Sequence, residues 1–234
     1  MKVVIMQPAY LPWLGYFDLM DQSDTFVFLD NVQFEKRSWQ QRNRIKTKKG
    51  ELWLTIPVIS KGRYNQKINE VEIDDSQSWA KKHLKTIERN YAHAKYYKNY
   101  INFFKNFYSE KITKLVDFTI PIILYIKDVL GINSQIVKAS ELNVNGSKVE
   151  LLIDICHKIK ADEYLSPIGS KEYIEENNLF KKEGIRLEYH HYIHPKYSQL
   201  WGDFIPYLSA IDLLLNEGGD SLSIIKSGRN KNKI

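Results

Sequence analysis

The sequence has almost no cysteine. Cys156 is the single thiol among 234 residues, so no internal disulfide can form and no second cysteine can share a zinc ion. It follows Leu151, Leu152 and Ile155 at helical spacing, which predicts a small buried thiol rather than a nucleophile. Disulfide-stapled and cysteine-zinc scaffolds are therefore excluded.

Long hydrophobic runs are also missing. The longest apolar stretch, 118–126, lies between Asp117 and Lys127 and is shorter than the roughly 18 residues that a membrane span needs. The opening MKVVIMQPAY has one lysine and a proline after a short apolar run, as in a first strand and not a signal peptide. We therefore predict a cytoplasmic protein with no membrane partner.

Positive charge is concentrated in one segment. The chain is 43% apolar and 26% charged, as in ordinary globular proteins, and its net charge is +6. Residues 35–50 hold seven basic side chains against Glu35 alone, which accounts for the whole excess. A local patch favours one anionic ligand over a nonspecific nucleic-acid surface.

Hydrophobic patterning predicts an α/β fold. Apolar runs at 2–6, 25–29, 52–58, 134–138, 163–165 and 186–189 predict strands, and helical spacing predicts helices at 13–21, 79–91, 97–108, 114–130, 147–159 and 171–177. Pro121 should kink its helix or start a new one. Alternation of strands and helices favours a mostly parallel, Rossmann-like sheet. We expect one domain over 1–225, with a helical insertion around 77–130 and a flexible tail at 226–234.

The loop after the first predicted strand is the first candidate binding segment. Such turns face the ligand crevice of a parallel sheet, two prolines stiffen this one, and a glycine permits close approach. The predicted pocket residues are Gln7, Tyr10, Trp13, Gly15 and Tyr16. The alternative is a rigid turn that plugs the sheet edge with aromatic rings.

The basic segment follows the second predicted strand and should form a loop at the same end of the sheet. Its arginines have the forked donors that bind phosphate. The predicted substrate-binding residues here are Gln33, Arg37, Arg42, Asn43 and Arg44, with Asp30 as a proton-transfer group. The alternative is a solvated charged loop.

Histidines and hydroxyls near the C-terminal half supply further candidates. His190, His191 and His194 lack flanking acids or cysteines, so we predict no metal site. His191 is the candidate for proton transfer, and a structural histidine is the alternative. Ser166 would contact phosphate or cap the following helix.

The segment 192–219 should close over the same crevice as the N-terminal loop. It contains Gln199, a predicted substrate contact, and Asp212, a carboxylate within an apolar helical run. A buried carboxylate needs a partner, so Asp212 should pair either with the arginines of the basic segment or with a helix-capping amide, or contact the ligand directly as a catalytic residue.

These motifs resemble the WbqC-like family along nearly the whole chain. The matching stretches are QPAYLPWLGYFDLM, LDNVQFEKRSWQQRNRIKTKKG, LWLTIPV, YLSPIGSKEYI and YIHPKYSQLWGDFIPYLSAIDLLLNEGG. The resemblance implies a role in O-antigen and other surface-polysaccharide biosynthesis and in the amino-acid decoration of amino sugars. A more distant similarity to nucleotidylyltransferases implies that fold and ATP with Mg as a cofactor, although both signature histidines are absent from Trp13-Leu14-Gly15-Tyr16.

The combined expectation is a nucleotide-sugar tailoring enzyme. Its substrates would be a nucleotide-sugar and an amino-acid or acyl donor, with acyl, aminoacyl or nucleotidyl transfer as the reaction. Two alternatives stay open: a noncatalytic nucleotide-sugar-binding scaffold, and a nucleic-acid-binding domain. The sequence contains no recognisable recognition-helix or RNA-binding signature that would support the second alternative.

Overall fold

The structure, a computed structural model, describes residues 1–175 and 178–229. In chain order the strands are β1 (Lys2–Met6), β2 (Thr25–Phe28), β3 (Arg42–Thr47), β4 (Gly50–Thr55), β5 (Gln135–Lys138), β6 (Glu163–Pro167) and β7 (Arg186–His190). Within the described residues, five of them form a parallel sheet in the order β5-β2-β1-β6-β7. This is the doubly wound order, with its switch point between β1 and β6. The predicted α/β fold is confirmed.

The central strands are buried on both faces because they are apolar throughout. On β1, Val4 packs into one core, whereas Val3 and Ile5 pack into a second core on the opposite face. All four residues of β2 are buried. Alternation of side chains across a strand therefore produces two apolar layers from a continuous apolar run.

Helices cover both faces of the sheet. They are α1 (Leu14–Asp21), α2 (Trp79–Tyr91), α3 (Tyr97–Phe107), α4 (Leu115–Leu130), α5 (Lys148–Lys158), α6 (Lys171–Glu175), α7 (Leu179–Lys182), α8 (Ala210–Glu217) and α9 (Ser221–Ser227). The predicted helix at 171–177 extends beyond α6 into positions 176 and 177, outside the described residues.

The middle helices follow the predicted periodicity. Trp79, His83, Ile87 and Tyr91 are buried on one face of α2. Pro121 lies within α4 and starts no new helix, so that part of the expectation is wrong. The flanking residues are buried in the core, and their packing outweighs the single backbone hydrogen bond that proline removes.

The basic segment is a hairpin and not a loop, which corrects the sequence interpretation. β3 and β4 pair in antiparallel register from Arg42↔Thr55 to Thr47↔Gly50 and form a separate two-stranded sheet. The apolar run at 52–58 therefore supplies the second strand of a hairpin. The arginine and lysine side chains of β3 made this segment look like a charged loop. Its buried and half-buried residues in fact roughly alternate, as in a strand.

Part of the predicted flexible tail is structured. Lys226 and Ser227 belong to α9, and Arg229 forms ion pairs with Asp18 and Asp21. The sequence interpretation missed this because a Lys- and Asn-rich composition does not reveal two distant carboxylates. Residues 230–234 lie outside the described residues.

Candidate active site

A cavity of about 600 Å³ opens at the carboxyl ends of β1 and β6, the switch point where doubly wound sheets bind ligands. Its walls come from the ends of these two strands, the loop after β1, the segment before β3, β3 itself, α5 and the segment before α8. The lining residues are Ile5, Met6, Gln7, Pro8, Ala9, Pro12, Trp13, Tyr16, Leu29, Glu35, Ser38, Trp39, Gln40, Asn43, Arg44, Leu152, Tyr164, Pro167, Ser170 and Tyr207.

The loop after β1 divides its predicted pocket residues between the cavity and the core. Gln7 lines the cavity and its Oε1 accepts a hydrogen bond from Gln40 Nε2 at 2.8 Å. Tyr16 also lines it and donates to the Gln7 carbonyl at 3.2 Å. Tyr10 is fully buried, and its hydroxyl lies 2.9 Å from His83 Nδ1. Tyr10 therefore fits the alternative interpretation, in which aromatic rings of this turn plug the edge of the sheet.

Gly15 makes room for a protein side chain. A Cβ added there would overlap the six-membered ring of Trp13. The prediction was the approach of a ligand or of backbone at this glycine, whereas the approaching group is the Trp13 side chain. The indole is thereby held flat against the start of α1, where it forms a wall of the cavity.

Asn43 and Arg44 bring the basic hairpin to the cavity. Asn43 is buried, donates through Nδ2 to the Leu11 carbonyl at 2.6 Å, and accepts the Arg44 amide at 2.7 Å. The Arg44 guanidinium donates to Glu51 at 2.7 Å and to the Tyr207 carbonyl at 3.2 Å. Its Nε–H is buried and has no hydrogen-bond partner among the described residues. Arg44 therefore retains a donor for an anion.

The other predicted phosphate ligands of this segment lie outside the cavity. The Arg42 guanidinium lies 4.5 Å above the Trp53 ring, as in a cation–π contact. Arg37 is exposed, and Gln33 donates to the Tyr64 carbonyl at 3.0 Å. Arg42 and Arg44 lie two positions apart and therefore on the same face of β3, and both approach Trp53. Arg44 in addition donates to the Tyr207 carbonyl and lines the cavity, a difference that depends on a partner more than a hundred residues away.

Several lining residues were missed from the sequence. Trp39 is 52% exposed, lines the cavity and packs against Trp53 at 5.4 Å between ring centroids. Glu35, Ser38 and Gln40 line the same side. The interleaving of aromatic, amide and basic residues at 34–44 was the available signal.

The three predicted catalytic residues do not line the cavity. Asp30 is buried and accepts hydrogen bonds from the amide and hydroxyl of Ser140 at 2.9 and 2.6 Å, so it anchors the chain after β5. His191 is exposed. Asp212 is fully buried and accepts from the hydroxyls of Tyr91 at 2.7 Å and Tyr197 at 2.9 Å.

Asp212 belongs to a buried network with Lys46 and Gln199. Burial raises the pKa of the Asp212 carboxyl and lowers the pKa of the Lys46 ammonium. Lys46 Nζ donates to Gln199 Oε1 at 3.1 Å and to the Asp203 carbonyl at 2.5 Å. The expected pairing with an arginine is thus wrong, and a neighbouring lysine supplies the positive charge. Gln199 also lies in this network and not in the cavity wall.

Ser166, near the end of β6, and Ser170, just after that strand, supply one cavity contact. Ser166 is buried and its hydroxyl contacts Ser170 Oγ at 2.5 Å and the Tyr164 hydroxyl at 3.2 Å. Ser170 lines the cavity and donates to the Pro167 carbonyl at 2.6 Å. Ser166 therefore supports a lining serine from beneath.

The C-terminal segment packs on the N-terminal loop as expected. The Trp13 ring contacts Tyr192 and Tyr207 at 5.5 and 5.6 Å between centroids. The Ala210 amide donates to the Pro12 carbonyl at 2.8 Å. Both ends of the chain thus contribute to one crevice.

The histidine cluster is divided among three environments. His190 Nε2 lies 2.8 Å from Asp18, His191 is exposed, and His194 Nδ1 donates to the Pro195 carbonyl at 2.9 Å. In residues 1–175 and 178–229, no group of three acidic, histidine or cysteine side chains is arranged to hold a metal ion. Glu35 is the carboxylate of the cavity lining, so Mg²⁺ brought with ATP would be held mainly by the nucleotide phosphates.

Comparison with known proteins gives the family. The model of the WbqC-like protein family matches residues 7–224. The uncharacterized protein Rv1507c of Mycobacterium tuberculosis is 37% identical over 222 residues, which cover 94% of this chain and 95% of that protein. No solved structure matches the chain. Among the described residues, no helix has both the length and the apolar character to cross a bilayer. The chain belongs to the WbqC-like protein family.

Proposed function

We propose that the chain is a transferase that binds a nucleotide-linked amino sugar in the cavity and attaches an acyl or aminoacyl group to the sugar amine. The observation that carries this proposal is the presence of an exposed indole, Trp39, and of a guanidinium with an unpaired buried donor, Arg44, in the lining of one cavity at the sheet's switch point. An aromatic base or sugar ring packs on an indole face, and a phosphate accepts forked hydrogen bonds from arginine.

The size and polarity of the cavity support a small ligand. About 600 Å³ falls within the range of small-molecule sites. Gln7, Gln40 and Asn43 supply amide groups of the kind that bind sugar hydroxyls. The Arg44 guanidinium already forms an ion pair with Glu51, so it suits a ligand that places a single anionic group beside it. The rest of its surface would contact apolar walls.

The proposed chemistry needs no nucleophile from the chain. The sugar nitrogen forms a bond to the acyl carbon, the bond between that carbon and its leaving group breaks, and one amine proton passes to the leaving group. The chain would contribute binding and orientation, which alone supply much of the rate of such bimolecular reactions.

The experiment is calorimetric titration of UDP, ADP, UDP-linked amino sugars and free amino acids into wild type, Arg44→Gln and Arg42→Gln. Loss of the Arg44 contact should cost about 1.5–3 kcal/mol, a tenfold to roughly 150-fold loss of affinity. Arg42→Gln, on the same strand outside the cavity, is the matched control. Equal effects of both changes, or no binding of any phosphate-bearing compound to wild type, would contradict the proposal.

A second candidate, a single-stranded nucleic acid, is favoured by one separate observation. Trp39 and Trp53 are 52% and 40% exposed beside the arginines of β3. Exposed rings interleaved with cations are typical of single-strand binding. Anisotropy with short RNA and DNA oligomers distinguishes this candidate, because its affinity should fall steeply with salt and with Trp53→Ala.

A further inference from the structure

The imidazole of His194 lies half-buried beside the cavity. Its ring stacks on Trp13 at 6.4 Å between centroids, with 16° between the ring planes, and meets Tyr207 edge-on at 5.0 Å. Both of these rings line the cavity. Tyr197 and Phe204 close the other sides at 6.2 and 5.8 Å. His194 therefore packs directly against two rings of the cavity lining.

The hydrogen bonds of His194 determine which nitrogen is free. Nδ1 lies 2.9 Å from the Pro195 carbonyl, and a carbonyl only accepts, so Nδ1 carries the proton. Burial lowers the pKa of this imidazole below its ordinary value, so the neutral ring is favoured at pH 7. Nε2 then carries a lone pair. It is buried and has no partner within the described part of the chain, an arrangement that costs free energy unless a donor reaches it.

Tyr207 covers this ring and is connected to the anion donor. Its side chain is 48% exposed, and its backbone has φ of 59°, in the left-handed region that is strained for a tyrosine. Its carbonyl accepts a hydrogen bond from Arg44 at 3.2 Å. An anion that takes the forked donors of Arg44 would compete with this carbonyl. Anion binding and the position of Tyr207 are thereby linked.

We propose that His194 Nε2 is the proton acceptor of this site, and that an anion bound at Arg44 displaces Tyr207 and opens His194 to the cavity. This inference rests on the proposed transferase function. As the sugar nitrogen bonds to the acyl carbon, Nε2 takes one proton from that nitrogen. It then returns the proton to the leaving group as the acyl bond breaks, so His194 ends neutral as it began.

The test is labelling of the unprotonated imidazole by diethyl pyrocarbonate at pH 7, followed residue by residue with tandem mass spectrometry, because His190, His191 and His194 lie close together in the sequence. Exposed His191 is the internal reference for an accessible ring, and His190, which is bound to Asp18, is the reference for a protected one. In wild type His194 should be labelled at least about tenfold more slowly than His191, as expected if reaction requires a local opening.

Three variants separate the steps. Tyr207→Gly removes the ring and suits the left-handed backbone, so His194 labelling should accelerate toward that of His191. Tyr207→Phe keeps the ring and should label as wild type does. Inorganic pyrophosphate should accelerate labelling of His194 in wild type. Arg44→Gln should label quickly without pyrophosphate and gain nothing from it.

The outcomes distinguish this inference from the proposed function. Unchanged labelling of His194 in Tyr207→Gly, or wild-type labelling as fast as that of His191, overturns the inference even if nucleotide-sugars bind. Pyrophosphate that binds in calorimetry without changing the labelling rate overturns the link to Arg44. If Tyr207→Gly exposes His194 while no nucleotide-sugar binds, the shielded imidazole stands and the proposed substrate is wrong.

Discussion

At the residue scale, buried polar side chains have the largest predictable consequences. His83 is 7% exposed, faces the Tyr10 hydroxyl and packs edge-on against Trp79 at 5.3 Å. Burial lowers the pKa of this imidazole to about 4, opposed in part by a hydrogen bond with the Thr55 backbone. The folded protein therefore holds His83 neutral at pH values where the unfolded chain protonates it.

Stability should accordingly fall as the pH drops from about 6.5 toward 4, because the unfolded state binds the extra proton in that window. The size of the effect is on the order of 3 kcal/mol. We expect His83→Gln to flatten this part of the profile in urea unfolding measured at several pH values. His93→Gln, a change of an exposed histidine in the same region, should leave the slope intact. An identical slope in both variants would contradict the assignment.

Gly15 offers a second test at this scale. A methyl group at Gly15 overlaps the Trp13 ring, so Gly15→Ala should force the indole from the cavity wall and cost about 1–3 kcal/mol, as overpacking does. Gly169→Ala is the control, since a Cβ there meets nothing within 4 Å and should change stability by less than about 0.5 kcal/mol. Thermal unfolding and ligand titration of both variants measure the difference.

At the element scale, the segment before α8, residues 197–209, forms no helix or strand. Hydrogen bonds to buried charged side chains hold it in place. Lys46 on β3 binds its carbonyl and amide oxygens, and Asp212 on α8 accepts from Tyr197 within it. The same segment carries Tyr207 to the cavity. The hairpin therefore positions the C-terminal wall of the site through the buried Lys46 and through Arg44, which donates to the Tyr207 carbonyl.

Removal of Lys46 or Asp212 should leave the opposite charge buried without its counter-charge. Lys46→Met and Asp212→Leu should each cost about 3–5 kcal/mol, and the double variant should lose less than the sum. Lys48→Met, an exposed position on the same hairpin, is the control. Urea unfolding of the four proteins gives the coupling free energy. Strict additivity would show that Lys46 and Asp212 do not interact.

At the scale of the whole molecule, the two ends of the chain are joined by a buried ion cluster. Asp18 on α1 is fully buried and contacts His190 at 2.8 Å and Arg229 Nε at 2.7 Å. Arg229 also pairs with Asp21. Side chains from both ends of the described chain thus form one cluster of ion pairs.

A chain that ends after Gly228 should therefore be less stable by about 3–5 kcal/mol, because Asp18 loses its guanidinium. A chain that ends after Arg229 retains every contact described and is the control. Thermal unfolding compares the two truncations with the full chain. Equal melting temperatures for the two truncations would remove Arg229 from this role.

The sequence by itself determined the fold class and the five strands of the parallel sheet, but not the β3–β4 hairpin. Apolar runs such as 2–6 and 25–28 and the spacing of Trp79, His83 and Ile87 depend on neighbours in the chain, so local periodicity reveals strands and helices. The position of the loop after β1 at the ligand crevice followed from the same reasoning, because parallel strands have their carboxyl ends at one edge.

The tertiary structure alone decided which polar residues form the site. Arg42 and Arg44 are equivalent in the sequence and lie on the same face of β3, two residues apart. Tertiary contacts with Glu51 and the Tyr207 carbonyl place Arg44 in the cavity wall, whereas Arg42 lies over Trp53. Asp212 received Tyr91 and Lys46 as neighbours, and not an arginine, from elements more than a hundred residues away. Partner choice among distant charges depends on packing in three dimensions, which the local pattern of residues does not contain.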